Sequence, residues 1–245
     1  MRPRFVDCHS HVVPSGDDGA QSLADGVALC ELAARSGTEV LYATPHVWPH
    51  LVLTEEREEA VRRAFEALRA DAPLELRLGY ELTPAPPLLD DDPRRYVLEG
   101  TDVVLVEVPF IEPANGFIAL AEHIEAAGFV PLVAHPERTE AVRARPELAD
   151  ELAERGWPLQ VNSTSIGGRH GPEAEALAWR LIEEGHAKVV ASDGHRLTRP
   201  ARLDDAYELV SARVGEEAAE PLFDGSWLGV RAERPLPSRA GARDV

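Results

Sequence analysis

The stretch RFVDCHSH, residues 4–11, combines a short apolar run with side chains that bind metals. In an extended strand, side chains two positions apart face the same way, so His9 and His11 can bind one cation together. Further metal-ligand types follow within residues 7–19, DCHSHVVPSGDDG, which also contain Asp7, Asp17 and Asp18. A His-x-His pair is weak evidence alone, because such pairs also occur on exposed strands. Its meaning depends on whether other strand ends carry similar groups.

Seven apolar runs share this arrangement, each ending in polar, chemically capable residues. The seven are RFVDCHSH (4–11), EVLYATPH (39–46), LELRLGYE (74–81), VVLVEVP (103–109), VPLVAHPER (130–138), PLQVNS (158–163) and KVVASDGH (188–195). Their lengths and β-branched content predict buried strands, and amphipathic stretches such as residues 22–37 and 54–70 predict helices between them. Strand then helix, repeated, predicts an α/β fold with a parallel sheet. Polar groups at every strand end favour a parallel barrel, whose active site lies at the C-terminal ends of the strands.

Local signals place the limits of the helices. Ser22 and Asp25 form a plausible N-terminal capping pair, and Gly37, Gly128 and Gly156 stand where helix C-termini need a left-handed residue. Residues 79–101 interrupt the alternation with PAPPLLDDDPRR, for which we expect a loop with one short helix.

Length and composition limit the possible classes of protein. A chain of 245 residues fits one domain; we expect a barrel over residues 1–228 and a loosely ordered Pro- and Arg-rich tail over residues 229–245. We find neither a leader nor an apolar run near the ~18 residues of a membrane helix, and two cysteines are too few for a disulfide framework. We therefore expect a cytoplasmic protein. The formal charge of -18 argues against nucleic acid as a partner.

The strand ends carry imidazoles and carboxylates that we predict to be metal ligands. A carboxylate at the end of a buried strand is costly unless it is paired or bound to a metal. A lone imidazole is more often a core residue, and we leave His50 and His170 open and expect His123 and His186 to be structural or solvent-facing. The candidate ligands are His9, His11, Asp18, His46, Glu81, Glu107, His135, Asp193 and His195.

This mixture of ligands indicates the metal and the chemistry. Imidazole and carboxylate without thiolate favour manganese, iron or zinc over copper, iron–sulfur or magnesium sites. The set is large enough for two or three divalent ions, and a multinuclear site lowers the pKa of a bridging water and stabilises displacement at phosphorus.

Two arginines, Arg138 in AHPER and Arg199 in HRLTRPAR, accompany this set. Their planar guanidinium groups match phosphate oxygens, although surface ion pairs are the alternative. A cysteine phosphatase needs an arginine six positions after its cysteine, but Pro14 and Ser36 stand there. The sequence also lacks a serine elbow, a Gly-rich phosphate loop and a dinucleotide fingerprint.

The segments DCHSHVVPSGDDG, YATPH, GYEL, VEVP, VAHPER, QVNS and VASDGH resemble, in order and spacing, the polymerase-and-histidinol-phosphatase superfamily. Within it, the GDDG turn and the HPER box resemble the bacterial tyrosine-protein phosphatases of capsule and exopolysaccharide operons. The resemblance extends from about residue 6 to residue 224. It implies a distorted (β/α)7 barrel with three metals, commonly manganese. It also implies a partner, the phosphotyrosine-bearing C-terminal tail of a bacterial tyrosine kinase.

The resemblance also implies how the ligands are shared. His9, His11, Glu81 and Asp193 would bind one ion. Glu81, Glu107 and His135 would bind a second ion, and Asp18, His46 and His195 a third. Arg138 and Arg199 would contact the phosphate.

Other functions of the same fold remain open. The first alternative is a histidinol-phosphate phosphatase, whose substrate is a small alkyl phosphate that requires an enclosed, acidic pocket. A nuclease is disfavoured by the negative charge, and a non-catalytic binding module by the intact set of ligands. The resemblance also allows a homo-oligomer, because relatives in the family can self-associate, but this sequence alone shows no surface for it.

Overall fold

The structure, a computed structural model, describes residues 4–109 and 115–230. Its strands are short, as the apolar runs predicted. They are β1 Phe5–Asp7, β2 Thr38–Ala43, β3 His46–Val47, β4 Glu75–Leu78, β5 Glu81–Leu82, β6 Val103–Glu107, β7 Val130–Ala134, β8 Leu159–Asn162 and β9 Ala187–Ala191.

Parallel pairing joins these strands into a ring. One sheet has the order β1-β2-β4 and the other the order β3-β5-β6-β7-β8-β9. β3 and β5 follow two residues after β2 and β4, so each pair continues one strand position. The ring returns to β1 through a parallel bridge between Ser10 and Gly194, where the His11 amide donates to the Gly194 carbonyl at 2.7 Å. Across the described residues this gives seven strand positions and confirms the predicted distorted (β/α)7 barrel.

The helices cover the outside of this ring. They are α1 Leu23–Arg35, α2 Glu55–Asp71, α3 Asn115–Ala126, α4 Glu140–Ala144, α5 Glu147–Glu154, α6 Ser163–Ile166, α7 Pro172–Glu183, α8 Asp204–Val214 and α9 Glu216–Ala219. The predicted start of α1 is confirmed, because the Ser22 hydroxyl accepts from the Asp25 amide at 3.2 Å. Gly37, Gly128 and Gly156 all adopt positive φ, as their predicted places after helices require.

Residues 79–101 contain two short 3₁₀ helices, where the sequence led us to expect one short helix. These are Pro86–Leu89 and Pro93–Tyr96. Each begins at a proline, which has no amide hydrogen to lose at a helix start. The two prolines thus start two separate turns.

The chain is still packed against the barrel at residue 230, the last described residue. Val230 is buried, and its amide donates to the Gly225 carbonyl at 3.1 Å. Residues 231–245 lie outside the described residues, so the division into a barrel (1–228) and a tail (229–245) stays a prediction. Within the described residues, no helix is both long and apolar enough to cross a membrane.

Candidate metal centre

The C-terminal ends of the barrel strands bring the predicted site residues together. A pocket of about 210 Å³ opens at this end of the barrel. Its lining includes eight of the eleven predicted residues together with Trp48, which the sequence did not suggest. The other three, His9, His11 and Glu81, are fully buried.

The buried group at the centre consists of His9, His11, Glu81 and Asp193. The Nε2 atoms of His9 and His11 lie 3.0 and 3.2 Å from Oε2 of Glu81. The same two nitrogens lie 3.5 and 3.4 Å from Oδ1 of Asp193. One donor atom from each residue falls within 4.8 Å of all the others, so the four could bind one cation. The structure thus assembles the set that the resemblance implied for one ion.

A second group lies towards the pocket mouth. His11, His46 and His195 place ring nitrogens within 4.8 Å of one another. Asp18 adds a carboxylate oxygen 3.2 Å from Nε2 of His195 and 3.7 Å from Nε2 of His46. The Asp18 side chain is 54% exposed, so it approaches the histidines from the solvent side.

A third group forms around Glu81. Its Oε1 accepts a hydrogen bond from Nε2 of His135 at 2.9 Å, and its other neighbours include Glu107 and His46. Glu107 accepts a hydrogen bond from the Thr83 hydroxyl. Burial raises the pKa of Glu107 to about 8, and the nearby Glu81 carboxylate adds to this rise. A cation shared by the two carboxylates would remove that repulsion.

The Glu81 carboxylate shows why the donor set fits a divalent cation. Its buried Oε2 atom has three imidazole nitrogens at 3.0–3.2 Å, yet none of them makes a hydrogen bond of acceptable geometry with it. Burial alone would raise the pKa of Glu81, but the charges of His9 and His46 hold it well below its usual value. A buried carboxylate oxygen with three imidazole nitrogens around it and no hydrogen bond belongs to a set of donors that a divalent cation would satisfy.

Two of the candidate ligands have an unusual backbone. His135 and Asp193 have φ angles of 33° and 52°, in the left-handed region that residues other than glycine seldom adopt. His135 directly follows β7, and Asp193 lies two residues after the end of β9. Such conformations persist where the surrounding structure holds them and are concentrated at functional sites.

The carboxylate of Asp17 has a supporting position that the sequence did not reveal. It is buried and accepts hydrogen bonds from the amides of Gly19 at 3.0 Å and His46 at 3.1 Å. Its Oδ2 also lies 3.4 Å from Nδ1 of His11. Burial would raise the pKa of Asp17, but these contacts with His11 and the amides hold it below its usual value. Asp17 thus fixes the turn that carries Asp18.

Two amide side chains on β8 connect candidate ligands to each other. Nδ1 of His9 donates to Oε1 of Gln160 at 3.0 Å, and Nε2 of Gln160 donates to Oδ1 of Asn162 at 2.9 Å. Nδ2 of Asn162 then donates to Oδ2 of Asp193 at 2.8 Å. When His9 is neutral with its proton on Nδ1, its Nε2 atom is the nitrogen that would be available to a cation beside Glu81. Gln160 and Asn162 therefore hold the side chains of two candidate ligands in place.

The two predicted arginines converge on Asp193 from the solvent side. Arg138 donates a hydrogen bond to Oδ2 of Asp193, and Nη2 of Arg199 donates to Oδ1 at 3.0 Å. Arg199 also lies 2.8 Å from Nε2 of His195. Both guanidinium groups line the pocket, so they place positive charge beside the Asp193 carboxylate.

The other four histidines of the chain lie outside these three groups of candidate ligands. His50 stacks on Trp48 with ring centroids 5.2 Å apart, and His170 lies 2.9 Å from the Thr164 hydroxyl. His123 is in α3, where its Nε2 lies 3.0 Å from a backbone carbonyl, and His186 follows α7.

Comparisons with known proteins point to one family. The family model "Capsular polysaccharide synthesis, CpsB/CapC" matches residues 5–226. Tyrosine-protein phosphatase YwqE of Bacillus subtilis is 30% identical over 93% of this chain and 92% of its own length. Tyrosine-protein phosphatase CpsB of Streptococcus agalactiae is 27% identical over 89% of this chain and 95% of its own length.

Solved structures agree with the sequence comparisons. A crystal structure from the pair YwqE of Bacillus subtilis and CpsB of Streptococcus pneumoniae, described as unique metal-dependent tyrosine phosphatases, superposes with a TM-score of 0.79. The two chains are 30% identical, with 89% of this chain and 91% of that chain covered. The phosphotriesterase homology protein of Escherichia coli has a TM-score of 0.52 at 12% identity, covering 91% of this chain and 97% of its own, and shows the barrel fold alone.

Proposed function

The chain belongs to the CpsB/CapC family of capsular polysaccharide synthesis proteins, and on this premise we propose that it is a metal-dependent protein-tyrosine phosphatase. The observation that carries the proposal is the buried group of His9, His11, Glu81 and Asp193, with two arginines at its solvent side. Relatives named tyrosine-protein phosphatases match this chain over most of its length, and the barrel end holds the donors that such chemistry needs.

We propose that the three groups around Glu81 and His11 hold two or three divalent ions. Manganese is our first choice, with iron or zinc as alternatives, because the donors are imidazoles and carboxylates without thiolates. When bound, such ions neutralise charge on phosphoryl oxygens and lower the pKa of water. The carboxylate charges that Glu81 and Asp193 retain in the buried site are what attract them.

The protein's own side chains would bind and orient the phosphate. Arg138 and Arg199 lie on the solvent side of Asp193, where their guanidinium groups can donate to phosphate oxygens. A tyrosine leaving group has a pKa of about 10, so its departure needs less protonation than an alkyl alcohol would. The pocket lining accordingly needs no dedicated acid for this step.

The proposed substrate is the phosphotyrosine tail of a bacterial tyrosine kinase that regulates capsule or exopolysaccharide synthesis. Such a tail is present in the cytoplasm, which is where we place the enzyme. Capsule synthesis is the process that the matching family model names. The formal charge of -18 disfavours the nuclease alternative.

A paired assay tests this function against histidinol-phosphate hydrolysis. Metal-free protein reconstituted with manganese would be assayed on a phosphotyrosine peptide and on histidinol phosphate. We expect kcat/KM to be larger for the peptide by at least about 100-fold, a difference of about 2.7 kcal/mol in transition-state binding. A preference for histidinol phosphate would make the protein a histidinol-phosphate phosphatase with the same metal centre. Inactivity on both substrates would contradict the assignment as a phosphatase.

A further inference from the structure

An apolar groove lies beside the candidate metal centre. We call it the Trp48 groove; it has a volume of about 270 Å³. The side chains that give it its character are Val47, Trp48, Val52, Leu53, Leu88 and Tyr96. They come from β3, the loop after it and the two 3₁₀ helices within residues 79–101.

The carboxylate and hydroxyl groups of this groove already have partners within the protein. Asp91 accepts a hydrogen bond from the Tyr96 hydroxyl at 2.6 Å and a short one from Arg95. The Thr54 hydroxyl accepts from the amide of Arg57 at 3.2 Å and so caps α2. Because these groups are satisfied, the groove selects for apolar surface rather than for charge.

One residue lines both the groove and the metal pocket. Trp48 lines both cavities, and its ring stacks on that of His46 with centroids 4.3 Å apart. An extended peptide advances about 3.3 Å per residue. If a phosphotyrosine occupies the pocket, a side chain one or two residues away can therefore reach across the indole into the groove.

The loop that forms one wall of the groove is held in place before any ligand binds. The guanidinium of Arg57 donates to the carbonyls of Leu51 and His46, both at 2.9 Å. The Leu51 amide donates to the Trp48 carbonyl at 2.9 Å. A preformed wall reduces the entropy lost when a peptide binds.

We propose that the Trp48 groove binds an apolar side chain of the phosphorylated substrate, one or two residues from the phosphotyrosine. The inference rests on the proposed function and makes it more specific: the enzyme prefers tyrosine-phosphorylated peptides with a large aliphatic residue close to the phosphotyrosine. The solvent-facing wall of the groove includes Val52, which is 41% exposed.

Phosphopeptide pairs test the groove in the manganese-loaded full chain. The two peptides of each pair differ only in having leucine or aspartate at one of the two positions on either side of phosphotyrosine. We expect leucine to raise kcat/KM about tenfold at one position, mainly through a lower KM. In Val52→Asp the leucine-to-aspartate ratio at that position should fall to about one. The ratio is taken within each variant, so a general change in activity cancels.

Leu209→Asp is the matched control, because Leu209 is an exposed aliphatic residue (45%) on α8. This variant should keep the tenfold ratio. A ratio below about twofold at every position, or a ratio that persists in Val52→Asp, would overturn the groove. Sedimentation gives a further test. A wild-type dimer that becomes a monomer in Val52→Asp would also overturn the proposal, because a second copy of the chain would then occupy the groove. Free phosphotyrosine distinguishes these outcomes from failure of the proposed function. If only the groove is wrong, the wild type still hydrolyses free phosphotyrosine; if the proposed function is wrong, it does not.

Discussion

Two groups of histidines and carboxylates in the described residues have similar chemistry and different surroundings. The first group, His9, His11, Glu81 and Asp193, is fully buried at the C-terminal ends of the strands. The second, which we call the surface cluster, consists of Asp150, Glu184 and His186. Its side chains are 30%, 45% and 30% exposed.

The surface cluster already has its compensating cation. Nη1 of Arg180 lies 3.0 Å from both carboxylate oxygens of Asp150 and 3.3 Å from Glu184. Water reaches these groups, so their charges cost little free energy without a metal. In the buried group, imidazole nitrogens face a carboxylate oxygen without satisfactory hydrogen bonds, and desolvated charge is costly. Asp193 of the buried group also contacts two arginines, so burial and a Glu81 oxygen without a hydrogen bond are what distinguish the candidate metal centre from the surface cluster.

The largest expected effect comes from removing an imidazole of the buried group. His11 belongs both to this group and to the group at the pocket mouth, so His11→Ala should weaken two ion sites. Loss of several kcal/mol of charge stabilisation corresponds to at least about 10³-fold in kcat/KM. Elemental analysis after dialysis should show at least one fewer metal ion per chain than in wild type. Wild-type metal content in a folded His11→Ala protein would contradict the assignment of this group.

A smaller effect is expected from the arginines on the solvent side of Asp193. Arg199→Ala removes a donor to the phosphate and should lower kcat/KM by about 100-fold while metal content stays at the wild-type value. Arg199→Lys keeps the charge but not the planar pair of donors, so it should recover only part of the loss. Phosphate inhibition constants measured on both variants would check the role. Parallel loss of metal would show instead that Arg199 acts by holding Asp193 and His195.

Next in size is the effect of the amide chain on β8. Gln160→Leu removes the acceptor for Nδ1 of His9 and the donor to Asn162, so the His9 ring loses its fixed orientation. Partners of this kind typically change metal affinity by 10–100-fold, and we expect a value near the lower end. Calorimetric titration of metal-free protein would measure it.

Gln160→Glu is the conservative comparison for that variant. It retains an acceptor for His9, so its metal affinity should lie between those of wild type and Gln160→Leu. Equal affinity in wild type and Gln160→Leu would assign the amide chain a structural role alone.

The sequence predicted that the candidate ligands of the buried group lie together because strand periodicity and strand-end position are local properties. His9 and His11 are two residues apart just beyond β1, and their Nε2 atoms lie 3.2 Å apart, while Glu81 and Asp193 end apolar runs. The sequence did not reveal the role of Gln160, since an amide on a strand carries no signal until its neighbours across the barrel are known. His9 and Gln160 are 151 positions apart in the sequence, although Nδ1 of His9 lies 3.0 Å from Oε1 of Gln160.

The GDDG turn shows the same limit at shorter range. Asp17 and Asp18 are adjacent and chemically identical, yet one is buried against backbone amides and the other is half exposed. Which carboxylate turns inwards depends on the path of the turn, set partly by Gly16 with its φ of 84° and by Gly19 packing against His11. The left-handed backbone of His135 and Asp193 likewise has no local signal in the sequence, because neither residue is a glycine.

The smallest expected effect lies in the surface cluster and tests the comparison from its other side. His186→Ala removes the imidazole that completes the cluster, but Arg180 still compensates Asp150 and Glu184. Exposed ion pairs contribute about 0–1 kcal/mol, so the free energy of unfolding should change by less than about 1 kcal/mol. Metal content should equal that of wild type, and kcat/KM should remain within about twofold. Loss of a metal ion from His186→Ala would show that an exposed, arginine-compensated cluster can hold a cation here, and would remove burial as the distinguishing property.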